Sequence, residues 1–194
     1  MAITHRLLAG LQAVSLTALS GATALGPLVT APVARAEATS GFEFRWETNK
    51  DYRKLYYALS SGSAATPADW YLLLGPKDRK TALIKLVVSL PKEFDSQVDP
   101  KQVDLCIMEK GGVRGRTGCK EVIPAAIEVT GDSSAIEVFP ERPIPVGKTI
   151  GLHLRLTNPY NPGMYQLNAL GQMPGDVPVS GYLGSWVVEI APNY

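Results

Sequence analysis

The chain has 194 residues, 19 Lys and Arg against 18 Asp and Glu, and a net charge of +1. A balance this close to neutral does not suit a general polyanion binder, so nucleic acid is not an expected partner. The length suits one domain with a sizeable core.

The first 36 residues read as a targeting leader. His5 and Arg6 form a short basic start, and residues 7–33 are rich in Leu, Ala and Val. Ala34-Arg35-Ala36 is a small-x-small cleavage signal, with Ala36-Glu37-Ala38 as a second option. A spanning helix needs about 20 strongly apolar residues, and this run is diluted by polar residues and two prolines. Cleavage after Ala36 removes Arg6 and Arg35 and leaves residues 37–194 with a net charge of −1. No cysteine precedes Cys106 to carry a lipid anchor, and no Arg-Arg pair marks a twin-arginine route. The expectation is export by a Sec-type signal to the periplasm, thylakoid lumen or extracellular space. The mature protein is not expected to span a membrane.

Beyond the leader, Phe42, Phe44 and Trp46 alternate with charged residues as a half-buried first strand. Residues 50–59 read equally as a short helix or an aromatic strand. Residues 60–68 are loop by composition. A short apolar strand at 70–74 ends in Gly75-Pro76, and the charged turn Lys77-Asp78-Arg79-Lys80 follows. Residues 81–90 form the strongest strand pattern, with Ala82, Ile84, Leu86 and Val88 expected on one face.

After a proline-edged connection, residues 103–122 read as a hairpin. Val103, Leu105 and Ile107 alternate with Asp104, Cys106 and Met108; four glycines between positions 111 and 118 break the pattern; the chain returns from Cys119. Cys106 and Cys119 are the only cysteines. A bridge across their twelve intervening residues contributes about 3 kcal/mol by chain entropy. An oxidising compartment favours the disulfide over two separate thiols. Two cysteines with no histidine nearby do not make a zinc site, and the spacing is not that of a redox pair.

Residues 127–129 and 136–138 flank Thr-Gly-Asp-Ser-Ser, a second hairpin. Residues 139–147, with three prolines, form an extended crossover. Residues 149–157 alternate with Ile150, Leu152, Leu154 and Leu156 inward. Residues 158–163 turn the chain, 164–169 return with Tyr165 and Leu167 on one face, 171–184 read as a long loop, and 185–190 form the last strand. Trp46 and Trp186 are assigned to the core. About nine short strands with turn signals every ~8–12 residues predict an all-β fold, a single Ig-like/Greek-key β-sandwich with one hairpin disulfide.

Several blocks in this order, GPKDRKT (75–81), GRTGC (115–119), IEVFPERPIPVGKT (136–149), NPYNPGMYQ (158–166) and SGYLGSW (180–186), resemble a family of exported cyanobacterial proteins catalogued only as a domain of unknown function. The resemblance spans about residues 69–190. It implies a Gram-negative photosynthetic host and an envelope or lumenal location, and it brings no activity or catalytic residue.

Catalytic groups are sparse. His153, the one histidine after the leader, points outward on its strand, and no G-x-S-x-G turn accompanies it. It reads as a surface or interface imidazole. Glu128 and Glu137 oppose each other if the second hairpin is simple, a spacing a retaining glycosidase uses; solvated or offset carboxylates are the plainer reading. No cofactor or metal is expected.

Two basic turns, with Lys77, Arg79 and Lys80 in one and Arg114, Arg116 and Lys120 in and beside the other, would form a cationic patch if they share an end of the sandwich; separate solvated charges are the plainer reading. Tyr160, between Asn-Pro and Pro-Gly elements and near Asn158 and Asn161, is a candidate exposed ring for a sugar. The expected function is a non-enzymatic exported module docking an envelope or lumenal protein, or an anionic glycan, through its loops. The alternatives are a polysaccharide-binding accessory protein and, last, a glycoside hydrolase using Glu128 and Glu137.

Overall fold

The computed structural model describes residues 52–112, 115–175 and 179–194. Ten strands follow in order: β1 (Tyr57–Leu59), β2 (Pro67–Leu74), β3 (Lys85–Ser89), β4 (Val103–Glu109), β5 (Gly118–Val122), β6 (Ala125–Val129), β7 (Ala135–Pro140), β8 (Ile150–Thr157), β9 (Gly163–Gln172) and β10 (Ser180–Ile190). Sheet I has the order β1-β2-β8-β4-β5 and sheet II the order β10-β9-β3-β7-β6. All pairs within the sheets are antiparallel. The chain switches sheets after β2, β3, β5, β7 and β8, so the Ig-like sandwich expected from the alternation is the architecture observed.

The core lies between the sheets. Ile150, Leu152, Leu154 and Leu156 of β8 point into it as their spacing dictates, opposite Leu86, Val88, Leu167 and Trp186. Trp70 is fully buried, and its indole N–H needs an acceptor there. It donates to Asn158 Oδ1 at 2.7 Å, while Asn158 Nδ2 donates to the carbonyls of Ser61 and Ser63. Asn158 is thus an internal strut that closes the β8–β9 turn onto the loop after β1. Trp186 donates to the Leu73 carbonyl across the sandwich.

Three expectations change. Of the stretch 50–59, the described residues from Tyr52 on form a segment that serves both sheets. Leu55 N–H and Ser185 N–H bond to the carbonyls of Ser185 and Arg53, and the chain then crosses to sheet I as β1. Gly184 permits this crossing: its φ is +152°, and a side chain there would meet Leu55 and the Arg53 carbonyl within 2.8 Å. In the strand expected over 81–90, only Lys85–Ser89 is regular. Leu83, rather than Ala82 or Ile84, is buried, because its backbone pairs with Ile144 of the crossover and the alternation slips by one.

The long loop expected over 171–184 is strand at both its ends, since β9 runs to Gln172 and β10 starts at Ser180. Gly171 is there for close packing, not for a turn; a Cβ on it would strike Leu83 and Leu183. The strand expected at Phe42–Trp46, with Trp46 itself, lies outside the described residues. Among the described residues no helix is long and apolar enough to cross a membrane.

Candidate groove beneath the disulfide-tethered turn

In β4, Val103 and Leu105 face the main core as expected, yet Cys106 and Met108 on the opposite face are buried too. They form a second, small cluster with Leu73, backed by Tyr71 and Cys119. On this outer face of sheet I, residues 111–112 and 115–117 of the turn between β4 and β5 come to face residues of β1 and β2. The Cys106–Cys119 disulfide, with Cα atoms 5.4 Å apart, ties the return strand to the middle of β4. Thr117 Oγ1 accepts from Gly111 N–H, and Gly112 N–H donates to Gly115 O. Gly111 has no room for a side chain, as a Cβ would lie 2.5 Å from the Thr117 nitrogen. Lys110 reaches across to place its ammonium 4.2 Å from the centre of the Tyr56 ring, next to β1.

Between this turn and β1–β2 lies a groove of about 630 Å³. Its floor includes Tyr71 and Asp69, one wall carries Tyr56 and Ser60, and its roof carries Arg116 and Thr117. Beneath the floor the cross-strand register of β2, β8 and β4 builds a polar network. Tyr71 is paired with His153, and Asp104 flanks His153 on the other side. The Tyr71 and His153 rings stack at 4.7 Å with 10° between planes. With its hydrogen on Nε2, His153 donates to Asp69 Oδ1 at 2.7 Å, and its Nδ1 accepts from Arg155 Nη1 at 3.4 Å. Arg155 also donates to Asp104 and Gln102. Burial, with the Asp69 charge second, raises the Tyr71 phenol above its ordinary value.

The expected outward histidine is therefore the hub of a network. A hydrolytic triad would need a nucleophile within its reach, and among the described residues the hydrogen-bond partners of His153 are Asp69 and Arg155.

The two basic turns do share an end. β2 and β4 both run antiparallel to β8, so the turns that follow them emerge together. Arg79, however, is not part of a surface patch. It is buried at 2% exposure and donates from Nη1 to the carbonyls of Ile144 and Pro145 and from Nη2 to Lys148 O. Those carbonyls belong to the β7–β8 crossover; Ile144 O also accepts from Leu83 N–H, while Pro145 O and Lys148 O lie outside the strand ladders. Lys77, Lys80, Arg116 and Lys120 are exposed, and Arg114 lies outside the described residues.

Tyr160 is 69% exposed, as expected, at the opposite end after β8, where Asp95 accepts from its N–H and from Asn161. Asn158 is not available there, being committed to Trp70. Glu128 and Glu137 are cross-strand neighbours, but Lys85 lies 2.9 Å from Glu137 and offsets the repulsion. They sit on sheet II and line neither the groove nor the shallower depression beside Arg155. Sequence reading passed over Asp69, Tyr71 and Arg155. Their only signal was period-2 placement on the outward faces of β2 and β8, which has no meaning until the strands are paired.

No curated protein matches the chain. Among solved structures the domain is similar to BslA, a bacterial hydrophobin, at 13% identity and a TM-score of 0.46, covering 72% of this chain and 98% of that one. It is also similar to the collagen-binding domain of a Staphylococcus aureus adhesin, at 11% identity, a TM-score of 0.39 and coverage of 70% and 95%. A third is an uncharacterised Nocardia farcinica protein with an immunoglobulin-like fold, at 8%, 0.39, and 71% and 98%. A family model described as "Protein of unknown function (DUF2808)" matches residues 44–190, and the chain belongs to that family.

Proposed function

We propose that this chain is an exported, non-enzymatic binding module that holds its partner in the groove beneath the disulfide-tethered turn. The observation that carries the reading is the groove itself. It offers aromatic faces and a carboxylate on a floor of strands, and a guanidinium from a turn pinned by a disulfide. Such preorganisation lowers the entropy lost on binding. The leader-like first 36 residues and the disulfide both suit the periplasm, thylakoid lumen or extracellular space. An envelope or lumenal partner follows from that location.

Disulfide-intact protein, immobilised and exposed to solubilised envelope, tests the reading when compared with Arg116→Ala and Gly112→Trp. Gly112 lines the groove and has open space around a Cβ, so a tryptophan there adds bulk at the groove without a clash in the fold. Material retained by the wild type and lost from both variants is expected. Equal retention by all three would place the contact elsewhere.

A further inference from the structure

We infer, resting on the reading above, that the occupant of this surface is an uncharged, hydroxyl-rich glycan chain, recognised along β2 across two adjoining depressions. The second depression, about 440 Å³, is lined by Pro67, Asp69, Arg155 and Thr157 and shares Asp69 with the groove. Tyr71, Asp69 and Pro67 are successive outward positions of one strand. The track from Tyr71 to Pro67 therefore runs about 13 Å at the usual strand rise. That suits several linked sugar rings better than one small molecule.

The chemistry along the track is that of hydroxyl recognition. Asp69 and Arg155 are direct cross-strand partners. Asp69 gives Oδ1 to His153, and Arg155 gives Nε and Nη1 to Gln102, Asp104 and His153. Among the described residues Asp69 Oδ2 and Arg155 Nη2 have no protein partner, so an acceptor and a donor are left open on neighbouring strands. Adjacent sugar hydroxyls, each both donor and acceptor, satisfy such a pair. Tyr71 is pressed onto the His153 ring on one side, packs against the Leu73–Met108 cluster, and lines the groove with what remains exposed. Tyr56 is held likewise by Lys110. Two braced rings offer the flat apolar faces that the C–H side of a sugar covers.

Charge decides against the anionic polysaccharide. Asp69 stands at the junction of both depressions, Asp104 lies beside Arg155, and Arg79 is internal. The track presents paired charges of both signs rather than a cationic field. A protein partner of standard size would rest on a larger apolar centre than this polar track offers.

The test is affinity electrophoresis and calorimetry of the disulfide-intact protein with neutral oligosaccharides built from glucose, mannose, xylose or N-acetylglucosamine, alongside alginate and dextran sulfate. At least one neutral glycan is expected to bind, with little change between low and high salt. Tyr71→Ala and Asp69→Ala are expected to weaken it by about tenfold or more, a loss of about 1.4 kcal/mol. Because these two also touch the network, Gly112→Trp serves as the variant that touches none of the network's side chains and is expected to weaken binding as well. Binding only to the anionic polymers, lost at high salt, would overturn the inference. So would failure of every neutral glycan while the envelope experiment still yields a groove-dependent protein, and in that case the binding-module reading stands. Retention that ignores the groove variants in both experiments sinks both readings.

Discussion

The two basic turns look alike in sequence and emerge at the same end of the sandwich, yet they serve different purposes. In the turn after β2, Arg79 is drawn inside to satisfy three carbonyls of a proline-rich crossover, and only its neighbours Lys77 and Lys80 stay in water. In the turn after β4, glycines and the Cys106–Cys119 bridge bring the backbone to face β1 and β2, and Arg116 is left at the rim of the groove. The difference is where backbone groups go unpaired. The crossover needed a donor that prolines could not supply. The glycine turn closes on itself through Gly112, Gly115 and Thr117 and leaves its cation to the outside.

Replacing Arg79 with Ala should have the largest effect. Three charge-assisted bonds and a buried side chain are lost, so destabilisation of about 4 kcal/mol is expected in chemical denaturation. A loss near that of an ordinary surface arginine would break the contrast. Cys106→Ser with Cys119→Ser should cost about 3 kcal/mol by chain entropy and expose the Leu73–Met108 cluster. Its second signature is weaker groove binding, which Arg79→Ala protein that is still folded retains.

Lys77→Ala with Lys80→Ala should stay within about 0.5 kcal/mol of wild type and leave groove binding intact. If that pair abolished binding, the cationic end rather than the groove would be the docking surface.

The smallest effect belongs to a third turn, between β6 and β7. Asp132 Oδ1 accepts from the Ser134 hydroxyl and N–H, and the Ser134 hydroxyl bond is the main reason its carboxyl is lowered to about 2. A folded-state value below the ordinary 3.8 means its stabilisation is present above that value and lost as pH falls toward 2. The gap in melting temperature between wild type and Asp132→Ala should therefore be small at about pH 5 and narrow further at about pH 2. A gap that widened with acid would contradict the assigned hydrogen bonds.

Much of this was legible in the chain. The period-2 runs placed β8 and its four inward residues, the Thr-Gly-Asp-Ser-Ser turn placed Glu128 against Glu137, and the cysteine spacing within a hairpin pattern placed the disulfide. Glycine was the least reliable sign. At Gly171 and Gly184 it marked close packing and a chain crossing rather than loop, because local sequence does not show what will lie against a missing side chain.

Local sequence thus determined most of the strands, the inward faces of runs such as β8, and that two cysteines could close one turn, since alternation and turn chemistry act over a few residues. Tertiary structure alone decided that Arg79 turns inward, that Asn158 anchors Trp70, and that Asp69, Tyr71, His153, Arg155 and Asp104 form one network. Those outcomes depend on which strands become neighbours and in what register. That choice is made by burying β8 between β2 and β4, strands roughly 45 to 85 residues apart in the chain.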